Sequence, residues 1–173
     1  TSLFLVTAAM TVSAPLMAWA LEHDIVILHT NDIHCGINDN IGFAGLAQIK
    51  KDALARTPNV ALVDAGDAIQ GAPIGKLSRG LAVVNIMNYL GYDFCIPGNH
   101  EFDYGMDRFL ELVPLQRAGY YCANFVYAGN NKQVLPGYKI MQYEDTKVAF
   151  VGASTPESLT TSTPTFFQNE KGK

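Results

Sequence analysis

A chain of 173 residues that is 49% apolar and 16% charged, with 15 glycines, suits one compact α/β unit and excludes a disordered one. Its formal charge of -4 gives no basic surface to attract a nucleic acid polymer. Its 3 cysteines, without any Cys-x-x-Cys spacing, are too few for a disulfide scaffold and speak against a structural zinc site of that type.

Residues 1–20, "TSLFLVTAAMTVSAPLMAWA", carry no charge and end in Ala18-Trp19-Ala20, the small-x-small pattern that signal peptidase reads. They are read as a secretory signal peptide whose basic n-region is missing, with an exported mature chain starting near Leu21; a buried helix or a membrane anchor is the alternative. Thr, Ser and Pro interrupt the run too often for a membrane span. From Asp24 onward strand and helix patterns alternate. "DIVILHT" is a continuous apolar run of strand length. "FAGLAQIKKDALAR" sets Leu46, Ile49, Ala53 and Leu54 at helical spacing. "NVALVDAG" is a second strand, and "GLAVVNIMNYLG" a helix closed by Gly91. "YDFCIPG" is a third strand, followed by a helix over 106–119 that Pro114 would kink. "YYCANF" is predicted as a fourth strand, and "YKIMQYEDTKVAFVGAS" as two strands around a turn at 144–146. The tail from Thr155 reads as loop. This order predicts a βαβ sheet. Cys95 and Cys122 lie in apolar runs, where a disulfide between them or two buried thiols both remain open; Cys35 is the cysteine nearest to chemistry.

Three strand ends carry polar clusters: "HTNDIHCG", "LVDAGDAIQG" and "GNHEFDYG". Asp32 and His34 are two apart, so on an extended backbone their side chains would point the same way. Asp67 follows Gly66, which lets the backbone approach whatever the carboxylate binds. Asn99, His100 and Asp103 follow the third strand; Asn99 could instead cap the next helix. Each cluster alone is weak, since acidic and amide residues fill ordinary turns. Together they set oxygen and nitrogen ligands past three successive strands, where ligands of open α/β sheets collect. A shared metal site explains this better than three unrelated loops. Glu101 reads as a solvated or structural neighbour, and His23 and His29 lie apart from the clusters.

At these residues the chain resembles the calcineurin-like metallophosphoesterases. "LHTNDIHCG", "DAGDAIQG" and "GNHEFDYG" look like the first three blocks of the exported 5′-nucleotidase branch, which also hydrolyses 2′,3′-cyclic nucleotides and UDP-sugars. The likeness runs from about Asp24 to Pro156. It implies a layered α/β/β/α sandwich, seen here as an incomplete N-terminal half. It also implies two divalent ions (Zn, Mn or Fe) held by Asp32, His34, Asp67 and Asn99, with Asp67 bridging them. Asn99 and His100 would touch the phosphate. His100 would stabilise the developing charge without binding metal, oriented by Asp103. The implied reaction is metal-activated attack of water on phosphorus, releasing phosphate from a nucleotide or another phosphate ester.

The resemblance also sets expectations about what this chain does not carry. The family's later Gly-His-x-His block and its C-terminal nucleotide-binding domain have no counterpart in residues 21–173, and no histidine follows His100. Residues 21–173 are therefore read as the truncated N-terminal part of a catalytic domain, poor or inactive as an enzyme by itself. The alternatives are a related hydrolase of another substrate, such as a thiosulfohydrolase, or a non-catalytic surface remnant. Oligomeric state is left open.

Overall fold

The computed structural model describes residues 24–168 and the two-residue strand Leu5–Val6. Apart from that strand, the segment read as a signal lies outside the described residues, as does His23. Among the described residues, no helix is long and apolar enough to cross a membrane.

The larger sheet has the order β1 (Leu5–Val6), β2 (Val26–Thr30), β3 (Val60–Asp64) and β4 (Phe94–Cys95). β1 runs antiparallel to β2, while β2, β3 and β4 are parallel. The register pairs Val26 with Val60 and ends with Thr30 beside Asp64, so the polar clusters emerge together at one sheet edge. A hairpin of β5 (Tyr138–Tyr143) and β6 (Thr146–Val151) turns at Glu144, which adopts φ 49°. Its Phe150 ring lies 5.8 Å from Phe94, which also stacks on Tyr121 at 4.7 Å.

Helices cover the parallel sheet for the reasons the spacing gives. α1 (Gly42–Leu54) buries Phe43, Leu46 and Ala53. α3 (Leu81–Leu90) buries Val83, Val84 and Met87, and Gly91 closes it in the left-handed conformation at φ 69°. Lys50 of α1 donates to the Leu90 carbonyl at 3.1 Å and to that of Gly91, satisfying acceptors that the helix end leaves open. α4 (Met106–Leu112) stops where Pro114 would need a backbone N–H; the chain tightens into a 3-10 turn over Val113–Leu115 instead of kinking.

Two further expectations need correction. The predicted strand over 120–125 forms only one bridge, Cys95 to Tyr120. Beyond it the amides of Cys122 and Ala123 turn away to the carbonyls of Pro136 and Gly152, which ends the ladder. The tail is not all loop: it folds into the short α5 (Ser158–Thr161) and a 3-10 turn over Pro164–Phe167, with Phe167 packed 4.8 Å from Phe102. A short helix α2 (Pro73–Ser78) was not expected; Pro73 starts it, as a residue with fixed φ and no N–H can. All three cysteines are free and buried, so Cys95 and Cys122 are not paired to each other.

Candidate metal centre

The loop after β2 does not stay extended. Asp32 (φ 53°), His34 (φ 47°) and Cys35 (φ 59°) are left-handed, and so is Asp67 (φ 58°) in the loop after β3. Asp32 and His34 therefore approach one another through a coiled loop, not through strand alternation. Non-glycine residues in this region carry strain and persist where neighbours fix them. Here the neighbour is the next loop: Asp32 N–H donates to Gly66 O at 3.0 Å, His34 N–H to Asp67 O at 2.9 Å, and Cys35 N–H to Ala68 O at 3.0 Å.

The loops after β3 and β4 touch through glycine. A Cβ on Gly66 would stand 2.5 Å from the Gly98 nitrogen, and one on Gly98 would stand 2.3 Å from Asp67 Oδ1. The glycine beside Asp67 thus serves contact between two loops. Across the contact, His100 N–H donates to Asp67 Oδ1 at 2.8 Å.

The side chains converge on one space. Donor atoms of His34, Asp67 and His100 all lie within 4.8 Å of one another, and the two imidazoles meet edge to face at 5.0 Å. His34 Nδ1 contacts the Gln70 carbonyl at 3.2 Å, which places its proton there and leaves Nε2 as the ligand atom. Asp32 is more exposed and outside that trio; its Oδ1 lies 3.7 Å from His34 Nε2, and its Oδ2 accepts from Asn31 Nδ2 at 2.5 Å. Asn99 precedes the 3-10 turn His100–Phe102 but makes no side-chain cap bond, so its amide is not spent on capping.

His100 and Asp103 form the closest pair, Nδ1 to Oδ2 at 2.7 Å. Burial works against protonation of His100, but the Asp103 bond and charge, with the charges of Asp67 and Glu101, outweigh it and raise the pKa. Asp103 Oδ1 in turn accepts from Ser162 Oγ at 3.3 Å, a contact from the tail that sequence reading missed.

Two buried carboxyl groups lie beneath these donors. Asp64, 1% exposed, accepts from Thr30 Oγ1 at 2.7 Å, and Thr30 also meets the Tyr92 hydroxyl at 2.9 Å. Burial holds the Asp64 carboxyl well above the usual range, against the bond from Thr30. Glu101 is likewise 1% exposed, so of its two readings the structural one stands and the solvated one does not. Burial raises its pKa, while backbone amides pull the other way. Cys35 is an inert neighbour: burial pushes its thiol up to about 11, so it stays protonated.

The donor set suits divalent cations. Carboxylate, imidazole and amide ligands fit Zn, Mn or Fe without selecting one, and His34 already has the second-ring contact typical of metal-bound histidines. A cluster of this kind at the carboxyl edge of a parallel sheet is a candidate metal centre. Residues 25–162 match the family described as calcineurin-like phosphoesterase, and the chain belongs to it.

The 5′-nucleotidase of the venom of Gloydius brevicauda is 31% identical over 181 aligned residues, which cover 94% of this chain and 31% of that protein. The chain thus spans about a third of the length of the curated relatives it matches. Among solved structures, the calcineurin-like phosphoesterase YfkN from Bacillus subtilis superposes with a TM-score of 0.71 at 27% identity, covering 79% of this chain and 50% of that one. The sulfate thiohydrolase SoxB from Thermus thermophilus gives 0.68 at 28% identity, covering 72% and 24%.

Proposed function

We propose that this chain is the N-terminal part of an exported two-metal phosphohydrolase that removes phosphate from nucleotides. The observation that carries the reading is the convergence of His34, Asp67 and His100 within 4.8 Å at the edge where β2, β3 and β4 end. In this reading Asp32, His34, Asp67 and Asn99 would hold the ions, with Asp67 serving both. The ions would supply positive charge for the phosphate and lower the pKa of water.

The remaining groups act on the substrate. Asp103 holds the proton of His100 at Nδ1 and fixes the ring, which would leave Nε2 for the phosphoryl group. In its imidazolium form this ring would donate a hydrogen bond from Nε2 to the developing negative charge. Asn99 would support the phosphate with the amide that capping leaves unused. Likeness to a venom 5′-nucleotidase supports nucleotides as substrates, and the uncharged, Ala-x-Ala-ended residues 1–20 support export.

The test is AMP hydrolysis with Mn²⁺ or Zn²⁺ by the full-length parent and by its Asp67→Ala and His100→Ala variants. Asp67→Ala is expected to abolish turnover; wild-type rates in it would refute the bridging role. Residues 21–173 alone are expected to show no metal-dependent release of phosphate above their own His100→Ala control. A second reading, a two-metal hydrolase of sulfur esters, is favoured by the likeness to SoxB. It predicts sulfate release from a thiosulfate ester and none of phosphate from AMP.

A further inference from the structure

The turn that carries Asp67 sends successive amides into buried carboxyl groups. Gly66 N–H reaches Asp64 Oδ2 at 3.0 Å. The next three, from Asp67, Ala68 and Ile69, reach Glu101 at 2.7, 2.8 and 3.3 Å. Gly98 N–H, from the turn after β4, reaches Glu101 Oε2 at 2.6 Å. One carboxylate thus accepts four backbone donors from two loops.

All four partners are donors, so both carboxyl oxygens serve as acceptors. Buried amides need acceptors. With its lone pairs engaged, Glu101 has no oxygen left for an ion or a substrate. What it can do is fix geometry. Asp67 hangs from one of the two turns it joins, and Asn99 follows Gly98 in the other.

Building on the metal-site reading above, we infer that Glu101 is a positioning residue of that site, a buried carboxyl that clamps the Asp67 turn to the Gly98–Asn99 turn so that their donors face a common space. Glu101→Gln keeps the shape but turns an NH₂ toward amides that need an acceptor. Two readouts test it on the full chain. The first is native-state hydrogen exchange of the Asp67, Ala68 and Gly98 amides against those of β2 and β3. The second is Mn²⁺ affinity, with Met87→Ala as a control in the apolar core of α3, an element that supplies none of the site's donors.

Glu101→Gln is expected to speed exchange at Asp67, Ala68 and Gly98 while the strand amides keep their protection. Its Mn²⁺ dissociation constant should rise about 10–100-fold, as for loss of other outer-shell partners, against less than about twofold in Met87→Ala. Unchanged protection at the three amides overturns the inference. So does a loss of metal affinity no greater than the control's with exchange raised throughout the sheet, because that marks a general stabilising role. If Glu101→Gln does not fold, Glu101→Asp, which keeps the carboxyl group but is one methylene shorter, is read by the same criteria. A wild-type chain that takes up no Mn²⁺ would sink the metal reading, and the exchange readout would still decide whether Glu101 holds the two turns.

Discussion

On the helical side of the sheet, Val83, Val84 and Met87 of α3 are fully buried among apolar neighbours, whereas at its carboxyl edge Asp64 and Glu101 are buried as deeply among backbone amides and hydroxyls. The first kind of burial is non-directional and scales with area. The second depends on each donor finding its acceptor, and costs heavily when one is missing. The helical layer should therefore respond to mutation with lost stability alone. The strand-end loops should respond with lost geometry, and so with lost function, even where the fold survives.

The sharpest contrast pairs Met87→Ala with Gly98→Ala. Truncating a fully buried methionine is expected to cost about 2–5 kcal/mol in denaturant unfolding, with metal binding little changed. Gly98→Ala puts a methyl group 2.3 Å from Asp67 Oδ1, and overpacking of that kind costs roughly 1–3 kcal/mol. Its larger effect should be on metal affinity, because the atom displaced belongs to Asp67. Equal losses of affinity in the two variants would erase the contrast.

A smaller effect concerns pH. Burial raises the Asp64 carboxyl above its unfolded value of 3.8, so the folded state favours the protonated form. Its contribution to stability is fully present below that value and is lost as pH rises through the folded one. Asp64→Asn imitates the protonated group: its NH₂ can donate to Thr30 while its oxygen accepts Gly66 N–H. The variant should lose less stability than the wild type between pH 4 and neutral, measured by urea midpoints; parallel curves would contradict this.

Much of this was legible in the sequence, and what was not has a physical reason. β2, β3, α1 and α3 follow from apolar runs and helical spacing, because local pattern and tertiary burial agree there. The three polar clusters were visible as strand-end text. The left-handed turns at Asp32, His34 and Asp67 were not, although aspartate is among the residues that tolerate them. The segment after Tyr120 looks like a strand by composition, but its amides find partners at Pro136 and Gly152, far along the chain. Glu101 was the residue hardest to place. Three of its four donors lie 32 to 34 positions away, and nothing in its neighbourhood announces them.

The central claim is that the loops after β2, β3 and β4 together hold divalent metal. Electron paramagnetic resonance of Mn²⁺ tests it directly, since the sharp signal of the free ion disappears on binding. Added to the full chain after removal of bound metals, Mn²⁺ should be retained saturably by the wild type and largely released by Asp67→Ala. Retention that is unchanged in Asp67→Ala, or a wild type that leaves all the ion free, would contradict the account.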